Sequence, residues 1–292
     1  MKERDFVKRT LREFRPRKKL GQHFLVNEAV ADRIVMAAGL SPDDFCFEIG
    51  AGMGVLTTRI ACCAGTTVAV EIDGRLCEIL ERRVLPAARR TGGRIVLLKS
   101  DVLKLNIADL GARYGARSFK VISNLPYRIT SPIVFWLIEN RKHITNAILT
   151  VQQEVAERLT AEPGSKAYGS VTLKVQYFAT INALHTIGRN NFLPVPEVDS
   201  TLIKMDFLPK PRLTVRNEEA LFALIDRSFQ GRRKMLRTCL RRSFHLTNEK
   251  VKELERICGI DLARRGETLS LRDFAVIAEK MERVPLSPEP ER

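Results

Sequence analysis

The chain has 292 residues, 45% of them hydrophobic and 28% charged, which places it among globular proteins with room for one large domain and a smaller one. Its 49 Lys and Arg against 34 Asp and Glu give a formal net charge of +15, so a polyanion is the first partner to consider and nucleic acid outranks acidic metabolites. No apolar run approaches the roughly 18 residues that span a membrane, the N-terminus lacks the apolar core of a signal peptide, and Glu3, Asp5 and Glu13 argue against a transit peptide, so a cytoplasmic protein is expected.

In chain order, a basic arm over residues 1–18 comes first. Asn27 is then placed to cap a helix that runs through Ala38 and ends at Gly39. From Asp44 onward, short runs rich in β-branched residues (FCFEIG, TTVAVEID, RIVLLKS, KVISN, AILTVQQ) alternate with helical spacing over 55–63, 75–85 and 132–138, the last opened by Ser131 and Pro132 as cap and first turn. That alternation predicts βαβ units around a doubly wound parallel sheet whose strands are covered on both faces. A helix over 168–178 and a closing strand, STLIKMDF, complete a domain over 19–208. Pro209 and Pro211 break both periodicities. Helical spacing over 221–229, 235–240, 251–258 and 274–281 then predicts a small helical domain over 209–283, with 284–292 a disordered tail. The expected class is α/β, a Rossmann-like domain followed by a small all-helical one.

The segment Phe47-Glu48-Ile49-Gly50-Ala51-Gly52-Met53-Gly54-Val55 runs from a strand into a glycine turn. Its GxGxG spacing has Val55 where a dinucleotide fingerprint needs glycine, which disfavours a pyrophosphate cradle and favours a smaller nucleoside ligand. Glu71 ends the next strand, where a carboxylate can accept from both ribose hydroxyls, and Asp101 follows the third, placed for the ligand's adenine amine or for capping the next helix. These positions converge where open α/β sheets bind ligands.

Ser123-Asn124-Leu125-Pro126-Tyr127 follows the fourth strand. The exocyclic amine of adenine is a poor nucleophile because its lone pair is delocalised. If the Asn124 side-chain oxygen and the Leu125 or Pro126 carbonyl accept both its hydrogens, the lone pair can aim at a methyl group carried by a sulfonium, with no metal and no strong general base. Pro126 stiffens the loop, and Tyr127 is placed to stack on an extruded base. The six cysteines show no CxxC pair and read as reduced thiols.

With these motifs the chain resembles the family of ribosomal RNA small-subunit adenine N6-dimethyltransferases over nearly its whole length. Lys19-Leu20-Gly21-Gln22-His23-Phe24-Leu25 is similar to that family's N-terminal cofactor motif, which implies that Gln22, His23 and Leu25 reach S-adenosylmethionine together with Gly50, Gly52, Glu71, Asp101 and Asn124. Residues 165–169 and 192–200 also match, and the resemblance implies that Phe192 packs against the target base opposite Tyr127. The helical domain is echoed by residues 229–234 and 267–271. His23 stands where many members have asparagine, Ala51 where proline is common, and Arg128 where asparagine is frequent. The substrate it implies is two adjacent adenosines in a hairpin near the 3' end of small-subunit (16S) rRNA, dimethylated during ribosome biogenesis, as naked rRNA or in an immature 30S particle, by a monomer.

Two basic regions are candidates for phosphate contact: Arg17, Lys18 and Lys19 with Lys8, Arg9, Arg12 and Arg15, and Arg232, Arg233, Lys234 and Arg237 with Arg227, Arg241 and Arg242; Arg128 lies beside the base site. The competing readings are a large-subunit (23S) rRNA adenine methyltransferase conferring antibiotic resistance, and a non-catalytic rRNA-binding assembly or transcription factor on the same fold.

Overall fold

The computed structural model describes residues 3–17, 20–91, 94–231 and 234–282, so the expected tail over 284–292 lies outside the described residues. The chain forms two compact units, one made of the residues up to Ala156 with Ala179–Pro209, the other of Glu157–Phe178 with the residues from Lys210 onward.

The first unit contains α1 (Glu3–Glu13), β1 (Phe24–Leu25), α2 (Glu28–Ala37), β2 (Phe45–Ile49), α3 (Thr57–Ile60), β3 (Thr66–Glu71), α4 (Gly74–Thr91), β4 (Arg94–Lys99), α5 (Ile107–Tyr114), β5 (Phe119–Asn124), α6 (Thr130–Glu139), β6 (Ile144–Gln152), β7 (Ala179–Ile187), β8 (Phe192–Leu193) and β9 (Ser200–Phe207). Its main sheet has seven strands in the order β4-β3-β2-β5-β6-β9-β7. The five strands from β4 to β6 are parallel, and β9 runs antiparallel to both β6 and β7, so it alone is reversed. Phe47 anchors the core beneath β2: fully buried, it meets Phe119 edge-on and stacks on Trp136, each at 5.9 Å between centroids. Trp136 satisfies its indole N–H on the Leu105 carbonyl at 3.2 Å.

Several expectations are corrected. The segment over 179–187 forms a strand that hydrophobic patterning did not predict, because β7 is an edge strand whose middle is exposed. STLIKMDF does form the expected strand, β9, which lies in the sheet between β6 and β7. The helix expected over 55–63 is a single turn, Thr57–Ile60. The helix expected from Ser131 starts at Thr130, whose Oγ1 bonds back to the carbonyls of Pro126 and Tyr127, both at 3.3 Å, in place of a side-chain cap. Asn27 does cap α2, accepting from Val30 N at 3.3 Å.

The basic arm is in part a docked helix. Val7 of α1 is fully buried, the Arg83 guanidinium lies 4.3 Å over the Phe6 ring, and Glu3 ion-pairs with Arg59 at 3.1 Å and with Arg83. Charge periodicity hides this packing, since only Phe6, Val7 and Leu11 mark the apolar stripe.

The second unit holds the rest of α7 (Gln153–Leu159) beyond Ala156, with α8 (Ser170–Phe178), α9 (Glu218–Phe229), α10 (Leu236–Ser243), α11 (Asn248–Cys258) and α12 (Leu271–Met281). Residues 157–178, expected inside the first domain, cluster here instead. Tyr168 donates its hydroxyl to the Leu269 carbonyl at 2.9 Å and meets Phe229 edge-on, Gly164 N donates to Glu267 O at 2.7 Å, and Tyr177 packs edge-on against Phe222. The motifs at 165–169 and 267–271 are thus two sides of one structural joint. Asn217, Thr247 and Ser270 cap the helices that follow them, the last through a capping box with Asp273.

Glu3→Gln removes both ion pairs from a largely buried site, so chemical denaturation should show a loss of about 1–3 kcal/mol. A midpoint within error of the parent's would mean that α1 is not held by this cluster.

Candidate active site

Strand register brings the reactive loops together. Ile49 at the end of β2 pairs with Val70 of β3 on one side and Ser123 of β5 on the other, so the loops after these strands leave one edge of the sheet side by side. Ser123 fixes this junction by donating its buried hydroxyl to the Ile49 carbonyl at 2.6 Å.

The glycine turn is held by Glu71. Gly50 and Gly52 have φ of +72° and +58°, which L side chains rarely adopt, and a Cβ on Gly52 would also sit 3.4 Å from the Phe24 ring. Gly52 N donates to Glu71 Oε2 at 2.9 Å, while Oε1 accepts from Ile72 N at 2.8 Å and Asp73 N at 2.9 Å. Burial pushes the Glu71 carboxyl up and these three N–H donors oppose the rise.

A cavity opens along this edge. It is lined by Gln22, His23 and Leu25, by Glu48 and the glycine turn, by Glu71, Ile72, Asp101 and Leu103, and by Asn124, Leu125, Pro126 and Ile129. Ile72 and Leu103 are exposed apolar side chains, suited to clasp a flat ring. Asp101 Oδ1 caps the 3-10 turn that follows it, accepting from Leu103 N at 3.1 Å, so the capping reading holds for one of its oxygens. Among the described residues no group of three or more His, Cys, Asp or Glu could hold a metal ion.

The N-terminal motif crosses the cavity as β1, pairing Phe24 with Leu193 and Leu25 with Phe192 of β8. Gln22 accepts from Arg17 N at 2.8 Å and donates to Asp73 Oδ2 at 3.5 Å, so it braces the segment against β3. Asp73 is almost fully buried, and its pKa is lowered chiefly by Arg75, which bonds it at 2.8 and 3.1 Å.

In the reactive loop, Asn124 Nδ2 donates to the His23 carbonyl at 2.9 Å, which turns Oδ1 the other way. The Pro126 carbonyl is occupied by Ile129 N at 3.1 Å and Thr130 Oγ1 at 3.3 Å. Leu125 N donates to the Thr150 carbonyl at 3.1 Å, and no donor reaches the Leu125 carbonyl among the described residues. Of the two backbone acceptors the sequence leaves open, Leu125 is therefore the free one. Tyr127 shares a 2.7 Å hydrogen bond with Ser200 Oγ, and burial pushes its phenol up.

Two expectations fare differently. Phe192, expected against a target base, is fully buried in the hydrophobic core and does not line the cavity; its β8 pairing with Leu25 directs it inward. The ring that meets Tyr127 is His23, centroids 5.1 Å apart and planes 28° apart. Of the basic residues, Lys18, Lys19, Arg232 and Arg233 lie outside the described residues. Arg17 and Arg128 are exposed in the first unit, and Lys234 and Arg237 are exposed in the second.

Sequence reasoning passed over Glu48. It is fully buried, lines the cavity, and its Oε2 has no hydrogen-bond partner among the described residues. Burial raises its pKa to about 8, with the negative Glu71 adding to the rise and the Thr57 hydroxyl opposing it. The signal was an acid inside an otherwise apolar strand, FCFEIG.

A carboxyl raised from 4.5 to about 8 binds a proton in the folded chain that the unfolded chain has released. Its contribution is present in full below pH 4.5 and is lost as pH climbs towards 8, where the buried group must ionise. Denaturation of the ligand-free protein between pH 5 and 8 should therefore show Glu48→Gln losing less stability with rising pH than the parent. Parallel curves would mean that Glu48 does not titrate in this window.

The family model described as Ribosomal RNA adenine dimethylase matches residues 13–282. A protein of Geobacter metallireducens named Ribosomal RNA small subunit methyltransferase A is 38% identical over 268 residues, 91% of this chain and 96% of its own. One of the same name from Pelotomaculum thermopropionicum is 39% identical over 272 residues, 90% of each. Among solved structures, a dimethyladenosine transferase from Plasmodium falciparum superposes with a TM-score of 0.73 at 24% identity, over 90% of this chain and 99% of that one. The 23S rRNA methyltransferase ErmE gives 0.68, also at 24%, over 89% and 99%. At that identity the two structures speak for the fold alone, whereas the family match and the curated relatives cover nine-tenths of the sequence: the chain belongs to the ribosomal RNA adenine dimethylase family.

Proposed function

We propose that this protein uses S-adenosylmethionine to dimethylate the N6 amines of two adjacent adenosines near the 3' end of small-subunit rRNA during ribosome biogenesis. The observation that carries the reading is the pair of acceptors at the end of β5: Asn124 Oδ1, aimed by the bond from Nδ2 to the His23 carbonyl, and the unoccupied Leu125 carbonyl. The curated relatives' names favour the small subunit over the large.

The residues present suit the cofactor. The orphaned Oε2 of buried Glu48 needs a cationic or hydrogen-donating partner, which the ligand's α-ammonium provides. Three of about four acceptor positions on Glu71 are filled by backbone N–H groups, leaving it able to take a ribose hydroxyl. Asp101 keeps one oxygen for the ligand's adenine amine, between the apolar Ile72 and Leu103. Gln22 and Leu25 act from the crossing segment, the first through Asp73 and the second by packing. When bound, the cofactor supplies an electrophilic methyl on a sulfonium centre.

Asn124 and Leu125 accept the two hydrogens of the target amine and draw its lone pair out of conjugation, so that the nitrogen becomes nucleophilic without a strong base. The proton displaced by each methyl passes to solvent, and at the second transfer the one remaining N–H keeps one of the two acceptors. Pro126 keeps the loop stiff and Tyr127, held by Ser200, offers a face to the extruded base. Arg17 and Arg128 near the site, and Lys234 and Arg237 on the helical unit, supply phosphate contacts, with Lys18, Lys19, Arg232 and Arg233 proposed to extend them.

With radiolabelled cofactor, the parent should label small-subunit and not large-subunit RNA, and Asn124→Ala should lower turnover by about 10²–10³-fold with RNA binding nearly intact. Unchanged turnover in that variant would sink the mechanism, and label confined to large-subunit RNA the substrate. Reversing charge at Lys234 and Arg237 together should reduce the slope of log affinity against log salt by about 1–2. An unaltered slope would remove them from the footprint.

A further inference from the structure

The His23 side chain has no part in the chemistry above, yet it lines the cavity and meets the Tyr127 ring. Its ring covers Tyr127, Nδ1 donates to the Pro194 carbonyl at 2.7 Å, and Tyr127 is tied from behind by Ser200. His23 lines the cavity and Tyr127 does not, so the imidazole stands between the cavity and the tyrosine face. Stacked atoms approach to about 3.5 Å, so a base sandwiched between two rings needs roughly 7 Å. The 5.1 Å between these two centroids leaves no room for one.

We propose, on the reading that the target adenine stacks on Tyr127, that the His23 ring is a stand-in for that base: it covers the tyrosine in the free protein and gives up the place when an RNA base arrives. Entry then costs any base one ring stack and one hydrogen bond. An adenine recovers both, because it restores the stack and donates two hydrogens to Asn124 Oδ1 and Leu125 O. A base with no exocyclic amine restores the stack and meets two acceptors with nothing to donate, so it stays out. His23 thus holds the place of the base, the choice of an amine-bearing base is made by Asn124 Oδ1 and Leu125 O, and the His23 backbone carbonyl, which any side chain would leave in place, aims Asn124.

The test reads Tyr127 directly, by tetranitromethane nitration followed by peptide mass mapping, in the free protein and with a small-subunit rRNA transcript. His23→Ala should raise Tyr127 nitration in the free protein by roughly two- to tenfold, the range for one lost aromatic stack, and lower KM for the transcript without raising kcat. His23→Phe, which keeps a ring and loses the donor, should stay protected. Equal Tyr127 nitration in parent and His23→Ala would overturn the proposal, as would a rise in KM together with a fall in kcat. If the transcript fails to protect Tyr127 in His23→Ala as well, the stacking of adenine on Tyr127 fails, and the proposal with it.

Discussion

The site depends on one carboxylate. Glu71 gathers three backbone N–H groups from two loops, its own and the glycine turn after β2, and so sets the wall of the cavity before any ligand arrives. A charged acceptor with three donors holds its position far better than a solvated one, and Gly52 must adopt a positive φ to point its N–H there. The glycine spacing and the acid about twenty residues on are therefore one device.

Around that wall the first unit stores unfavourable electrostatics. Glu48 is kept dry with an unpaired oxygen, a condition that destabilises the free protein and is relieved by a cation placed in the cavity. Stability given up at a binding site is the usual complement of affinity. The opposite wall is built from the crossing segment, where Gln22, Asp73 and Arg17 form a polar brace and Phe24 lies against Gly52.

Five parallel strands were legible because each is a near-continuous apolar run, buried along most of its length in β2, β3, β5 and β6 and half-buried in the edge strand β4. β7 was not, since an exposed edge strand carries no such signal, and the reversal of β9 cannot be read from a pattern that is the same in either direction. Glu71, Asp101, Asn124 and the turn glycines stood out at strand ends, and the structure brings them to one cavity. Phe192 misled, because an aromatic in a loop motif gives no sign of which way a two-residue strand will turn it. Asp73 and the meeting of His23 with Tyr127 lay beyond reach: each depends on contacts between segments far apart in sequence. The N-terminal run was read only as charge, and the fold uses Val7 of α1 as core with Phe6 and Leu11 packed against it.

The central claim is that the end of β5 activates an adenine amine in small-subunit RNA. Its most direct test is to treat undermethylated small-subunit RNA with the protein and cofactor, digest it, and identify the modified nucleoside and its neighbours by mass spectrometry. The account predicts N6,N6-dimethyladenosine at two consecutive positions. Methyl groups on a ring nitrogen, on a ribose, or on a base other than adenine would contradict it.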